Sequence, residues 1–333
     1  MGLEIFQRAL EIKDYAVKLR RHFHQNPELG HREYETSAFI RKELEAMGVG
    51  IVPIDVETGV LGILKGEKQG PPTVTALRAD IDAIPVVERT GLPYASRNPG
   101  VMHGCGHDGH TAGLLGVAKL LTSMRDRFSG TVKFIFQPAE EILTGAKSMV
   151  EAGVLENPGV DTVVGLHAWP PVEVGKIGVY KGSYQASADK FVVTVSGRGA
   201  HGAYPYRAAD ALLAGVYSVA ALQNIVSREI DALDKVALSV CTFHGGEAFN
   251  TMPEEVTFSG TVRCHDEAVR RSIEAKINRV VKGICTSYGC TYRLEYIYGV
   301  PPVVNDPEVI DLITEAANQA LGEGPWWRST ARP

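Results

Sequence analysis

The sequence predicts an α/β protein with a mainly parallel sheet, into which a smaller α+β domain is inserted. Three observations predict it. Apolar, β-branched runs alternate with stretches of helical period, the pattern of parallel strands joined by crossover helices. From about residue 185 to 298 the order changes to β-α-β-β-α-β, the split βαβ pattern of a ferredoxin-like sandwich. A chain of 333 residues also exceeds the roughly 250–300 at which a single core stops growing, so two domains are expected.

Residues 3–24 and 34–48 read as amphipathic helices around the turn Asn26–Gly30, where Pro27 and Gly30 act as breakers. Val52, Ile54 and Val56, then Val60–Leu64, read as short strands. The run PPTVTALRADIDAIPV follows. It is a buried strand that delivers Asp80 and Asp82 to its C-terminal end. Thr111–Met124 predicts a helix that starts where the preceding glycines stop. Thr131–Phe136 is a strand ending at QPAEE, Thr144–Ala152 a helix, and Thr162–Leu166 a strand closed by His167. The insert then runs Lys190–Ser196 (strand), Ala208–Ser227 (helix), Lys235–Phe243 and Glu255–Arg263 (strands), Glu267–Tyr288 (helix) and Thr291–Tyr298 (strand). Pro307–Leu321 is one more helix. The expected division is a discontinuous domain of residues 1–184 and 299–333, and an insert of 185–298.

Composition narrows the function classes. Hydrophobic residues make up 44% and charged residues 22%, ordinary for a globular protein. A net charge of −5 without a basic tract argues against a nucleic-acid partner. No run of about 18 apolar residues occurs and the start lacks a signal-peptide core, so no membrane partner is expected. Five widely spaced cysteines do not form a disulfide framework and fit a reducing cytoplasm. Cys241, Cys264, Cys285 and Cys290 are expected as small buried hydrophobes.

The chemistry concentrates in HGCGHDGH, His103–His110. Glycines let the backbone turn tightly, so Cys105 and His107 can aim a thiolate and an imidazole at one point. That pairing suits a transition ion better than Ca²⁺ or Mg²⁺. Glu140-Glu141 and His167 close two further strands, and sites in open α/β sheets form at such carboxyl ends. Mixed S, N and O donors from separate segments are what a two-metal hydrolytic site requires. Because side chains alternate along a strand, one glutamate should bind metal while the other serves as general base. Asp80 and Asp82 are expected to accept the free N–H of a ligating histidine. Cys105 as a nucleophile is the weaker alternative, since its histidine neighbour is better placed to share a metal.

These residues carry a resemblance. RRHFHQNPELGHREYET, LRADIDAIPV, MHGCGHDGHTAGLLG, FIFQPAEE, GLHAWP, ADKFVVTVSGRGAHGAYP, GGEAFNTMP and FSGTVR, in that order, resemble the metal-dependent amidohydrolase branch of the aminoacylase and carboxypeptidase family. Hippurate hydrolases, N-acyl-amino-acid amidohydrolases and auxin-conjugate hydrolases belong to that branch. The resemblance implies a zinc-peptidase-like catalytic domain with a small dimerisation or lid domain inserted. It implies two divalent transition ions (Zn, Mn, Co or Ni) on Cys105, His107, Glu141 and His167, with Cys105 bridging and Glu140 as general base. His201 would stabilise the oxyanion, and Asn250 and Arg263 would bind near the substrate carboxylate. The implied reaction is hydrolysis of an N-acyl amino acid by metal-bound hydroxide, in a cytoplasmic homodimer assembled through the insert.

The match departs in two places. Relatives carry a further segment with a late histidine as fifth ligand, and the sequence ends at WWRSTARP without it. A chain lacking that ligand is expected to hold one ion weakly and to turn over little, which keeps a non-catalytic metal- or ligand-binding relative as the alternative. Where relatives have HGAxPH, this sequence has Tyr206, which keeps a hydrogen-bonding tip but no imidazole.

Overall fold

A computed structural model describes residues 2–322; the expectations for the final stretch fall on residues 323–333, outside the described ones. The described residues form two compact units, one from residues 2–178 with 312–322, the other Val179–Asp311. The expected joins at 184/185 and 298/299 lie inside the second unit, because the two connecting segments pair with each other there.

The first unit opens with α1 (Gly2–Glu11), α2 (Lys13–Gln25) and α3 (Tyr34–Ala46). The single helix expected over 3–24 is thus two, broken at Ile12. Strands β1 (Gly50–Val52), β2 (Val60–Lys65) and β3 (Val74–Asp80) follow. The first is shorter than expected, since Pro53 has no N–H to continue a ladder. Helix α4 (His107–Thr122), β4 (Thr131–Gln137), α5 (Gly145–Glu151) and β5 (Thr162–Gly165) complete the unit's core. The sheet order is β1-β2-β4-β3-β5. Pairings β3–β4 and β3–β5 are parallel, while β1–β2 and β2–β4 are antiparallel, so only β2 runs against the other four strands.

Both faces of this sheet are covered, as a mainly parallel sheet requires. Phe134 and Phe136 of β4 pack on one face with Leu19, Phe23, Ile40, Leu44 and Leu115 from the helices. Ile135 points the other way and packs with Leu61, Ala76, Met149 and Val154. Strand alternation sorts the three consecutive apolar residues between two cores.

The second unit contains β6 (Gly182–Gln185), β7 (Asp189–Ser196), β8 (Ala200–His201), α6 (Ala211–Glu229), β9 (Val236–His244) and β10 (Thr251–Met252). Then come β11 (Glu255–Cys264), α7 (Glu267–Ser287), β12 (Thr291–Ile297) and β13 (Val303–Asn305). Helix α8 (Pro307–Leu321) ends the described chain. The main sheet has the order β12-β7-β11-β9, antiparallel throughout, the arrangement that the β-α-β-β-α-β pattern predicts. Its core joins Phe191, Val193, Val195 and Phe258 to Ile273, Ile277 and Val281 of α7. Cys264, Cys285 and Cys290 are buried as expected, but Cys241 is exposed, because β9 lies at the edge of the sheet. Among the described residues no helix is long and apolar enough to cross a membrane.

One polar contact organises this core. Asp189 accepts from Arg270 at Nε (2.9 Å) and Nη2 (2.7 Å), and from the Gly299 amide (3.0 Å), with both charged side chains buried. Removing one partner leaves an uncompensated buried charge. Asp189→Ala should therefore destabilise the protein by about 3–5 kcal/mol in denaturant titrations; a loss below about 1 kcal/mol would show the pair to be dispensable.

Candidate metal centre

The site is built at the C-terminal ends of β3, β4 and β5. Asp80 is the last residue of β3, and Asp82 follows two residues on; both are buried. Helix α4 begins inside the motif rather than after it. Gly106 caps it with φ 90°, a left-handed conformation that glycine adopts without steric cost. His107 is consequently the first helical residue, and His110 lies one turn along the same face. His167 sits two residues beyond the end of β5, on an exposed loop instead of at a strand end.

Glu140 and Glu141 also lie past their strand, in a turn. Ala139 is left-handed at φ 50°, as is Leu143 at φ 61°. Strand alternation therefore does not apply, and both carboxylates face one point: Glu140 Oε2 is 4.0 Å and Glu141 Oε1 3.7 Å from His107 Nε2. The turn is held from two sides. The Ala139 amide donates to buried Glu33 (2.8 Å), and the Glu141 amide donates to Asp82 Oδ2 (3.0 Å). A side chain at Gly145 would place its Cβ 1.6 Å from the Pro138 carbonyl oxygen, so the turn closes only over glycine.

The hydrogen bonds define which atoms are free to bind an ion. His107 Nδ1 donates to the Asp82 carbonyl (2.9 Å), with Asp82 Oδ1 at 3.3 Å, which leaves the lone pair on Nε2. That Nε2 and Glu141 Oε1 are both buried and have no hydrogen-bond partner. Buried polar atoms left unpaired are costly, and two of them facing each other are what a ligand pair looks like without its ion. Cys105, His107 and Glu141 each offer a donor atom within 4.8 Å of the others. Cys105 Sγ lies 3.4 Å from His167 Nε2, which brings the fourth expected ligand to the same place. The donor set of thiolate, imidazole and carboxylate suits a divalent transition ion, and there are enough donors for two.

Asp82 thus plays the expected part for His107, whereas Asp80 does not contact a ligating histidine through a short bond. It accepts from His110 Nδ1 (2.6 Å) and Arg78 Nη1 (2.8 Å). His110 is a polar residue of the site that sequence reasoning left unassigned, and His24 forms a buried pair with Asp108 (2.7 Å). The three-residue spacing from His107 was the available signal for His110, once the helix is known to begin at residue 107.

The local electrostatics follow. Burial alone would raise Asp80, but the His110 bond and the Arg78 and His107 charges outweigh it and hold the carboxyl well below the usual range. Burial raises Glu140, helped by the Asp80 charge. Burial also pushes the Cys105 thiol up to about 12, with Glu141 adding to the effect. Partial desolvation at the site lowers His167. In His107 the Asp82 bond and neighbouring carboxylates override burial and raise it.

The remaining expected site residues belong to the second unit. His201 and Asn250 come together there: His201 pairs with Thr251 in the β8–β10 ladder, and the Gly202 amide donates to the Asn250 carbonyl (2.8 Å). Arg263 stands at the opposite end of β11 from Glu255, the end beside that ladder, and is not brought to them. Its Nη1 reaches the Ser187 carbonyl at 3.4 Å.

A fold of this architecture with such a donor cluster defines a metallohydrolase class, and comparison with known proteins gives the family. The model of peptidase family M20/M25/M40 matches residues 76–330, and the chain belongs to that family of amide-bond hydrolases. It is 44% identical to the N-acyl-L-amino acid amidohydrolase of Geobacillus stearothermophilus, over 92% of this chain and 82% of that protein. It is 37% identical to the hippurate hydrolase of Campylobacter jejuni, over 96% of this chain and 83% of that one. The crystal structure of Bacillus subtilis YXEP, a dinuclear metal-binding peptidase of the M20 family, superimposes with a TM-score of 0.83 at 36% identity, covering 96% and 82% of the two chains.

A thiol held protonated must lose its proton to bind metal. Metal uptake at neutral pH should therefore release a proton and tighten as pH rises. Calorimetry in buffers of different ionisation enthalpy checks this, and a pH-independent affinity would remove Cys105 from the ligand set.

Proposed function

We propose that this chain hydrolyses the amide bond of N-acyl amino acids, such as N-benzoyl or N-acetyl conjugates, with two divalent metal ions as cofactor. The observation that carries the reading is the pair of buried, unpartnered atoms His107 Nε2 and Glu141 Oε1, 3.7 Å apart, with Cys105 and His167 beside them. Relatives named for N-acyl amino acid and hippurate hydrolysis support the substrate class. Zn²⁺, Mn²⁺, Co²⁺ and Ni²⁺ all suit the donors. When bound, such ions polarise a carbonyl and make water a usable nucleophile at neutral pH.

Glu140 is the general base. Its carboxylate faces the donor cluster, accepts the proton of the attacking water, and delivers it to the leaving amine. On the family resemblance, His201 donates to the developing oxyanion and Asn250 contacts the substrate carboxylate; Arg263, at the far end of β11, takes no part in that contact. The first compact unit is then the catalytic domain and Val179–Asp311 the insert. Five free cysteines support a cytoplasmic location. Glu140→Gln should lower turnover of N-acetyl or N-benzoyl amino acids by about 10²–10⁴ while both ions remain bound; activity close to the parent's would refute the assignment.

We also propose a homodimer through the insert. Leu212, Leu213, Val216 and Tyr217 are exposed along one stripe of α6, next to edge strand β9 with its exposed Phe243. An unpaired edge beside an apolar stripe is a template for pairing with a second copy. Val216→Asp should shift light scattering from the dimer mass toward that of a 36.0 kDa monomer; an unchanged mass would place the interface elsewhere.

A further inference from the structure

His110 lies close enough to Asp80, His107 and His167 to be counted as a fourth donor of one metal cluster. Its hydrogen bonds exclude that role. The Ala168 amide can only donate, and it lies 2.7 Å from His110 Nε2, so Nε2 must accept. The proton of neutral His110 is then on Nδ1, which donates to Asp80 Oδ1 at 2.6 Å. Both ring nitrogens are engaged, and no lone pair remains for an ion.

The next link is equally constrained. The Ala168 carbonyl can only accept, and His167 Nδ1 stands 2.7 Å from it, so His167 carries its proton on Nδ1. The lone pair of His167 is therefore on Nε2, the atom that faces Cys105 Sγ at 3.4 Å. We propose that His110 is a positioning residue: through the Ala168 peptide it fixes the reach and the tautomer of His167. The chain of contacts runs from the Asp80 carboxylate through the His110 ring and the Ala168 peptide to the His167 ring. Asp80 is itself pinned by Arg78, which also donates from Nε to Gln137 (2.9 Å).

A loop needs such a tie. His167 has left strand β5 and its side chain is exposed, so no ladder and little packing hold it. The loop instead presses on the start of α4, where a Cβ on Gly106 would come within 3.2 Å of the Ala168 Cβ. Outer partners of this kind orient a ligating imidazole and select its tautomer.

The inference rests on the reading of His167 as a ligand, and the test separates the two. Apo protein titrated with Zn²⁺ in a calorimeter should take up two ions. His110→Ala should weaken one of them about 10–100-fold. His110→Gln can return an acceptor to the position of Nε2 and should recover most of that loss. His110→Asn is too short to reach the Ala168 amide and should not. In the metal-free protein, ¹⁵N ring shifts of His167 should show a single Nδ1–H tautomer in the parent and a mixture in His110→Ala. Parent-like affinity and tautomer in His110→Ala would overturn the proposal. So would equal behaviour of the Gln and Asn variants, or complete loss of one ion that Gln does not restore, which would make His110 a ligand. Failure of the parent chain to bind Zn²⁺ would instead overturn the reading of the metal centre.

Discussion

Two buried atoms with nothing to bond to, His107 Nε2 and Glu141 Oε1, are the constraint on which the first unit depends. An unsatisfied buried polar group costs about 1–3 kcal/mol, so the surrounding structure must stop the two from relaxing toward other partners. It does so by tying down the groups behind them. Asp82 holds His107 through its carbonyl and Glu141 through its carboxylate. Glu33 holds the left-handed Ala139 that starts the glutamate turn. Rigid elements supply the frame, and bonds behind the donors supply the aim.

The electrostatics of the site are divided along the same lines. Behind the donors, Asp80 is held ionised by its His110 bond and the Arg78 charge, and Asp108 is bonded to His24 and Arg20. Groups at the front lean toward the neutral form, with Glu140 raised, His167 lowered and the Cys105 thiol near 12. Binding cations reverses that bias, because opposite charge nearby favours the thiolate and the carboxylates.

The fold class was legible because hydrophobic period and strand–helix order are local signals. The insert's topology could be read from element order alone, and its sheet has the strand order that pattern demands. Boundaries were less legible where a single residue type decides them. Gly106 starts α4 four residues before the glycine-rich stretch ends, and the break at Ile12 has no sequence marker. Cys241 looked like its buried counterparts, since a sequence does not say which strand lies at an edge.

The sequence by itself determined the chemistry: thiol, imidazoles and paired glutamates at strand ends are a donor set whatever their final coordinates. Only the tertiary structure decided how each donor is aimed. Glu140 and Glu141 face the same point because their turn is left-handed at Ala139, which no alternation rule anticipates. Asp80 and Asp82 look alike in RADIDAIP, yet one serves the ligand His107 and the other serves His110. The physical reason is that a hydrogen bond depends on direction as well as residue type. Direction is set by helix starts, turn handedness and contacts that join residues from 25 to more than 100 positions apart.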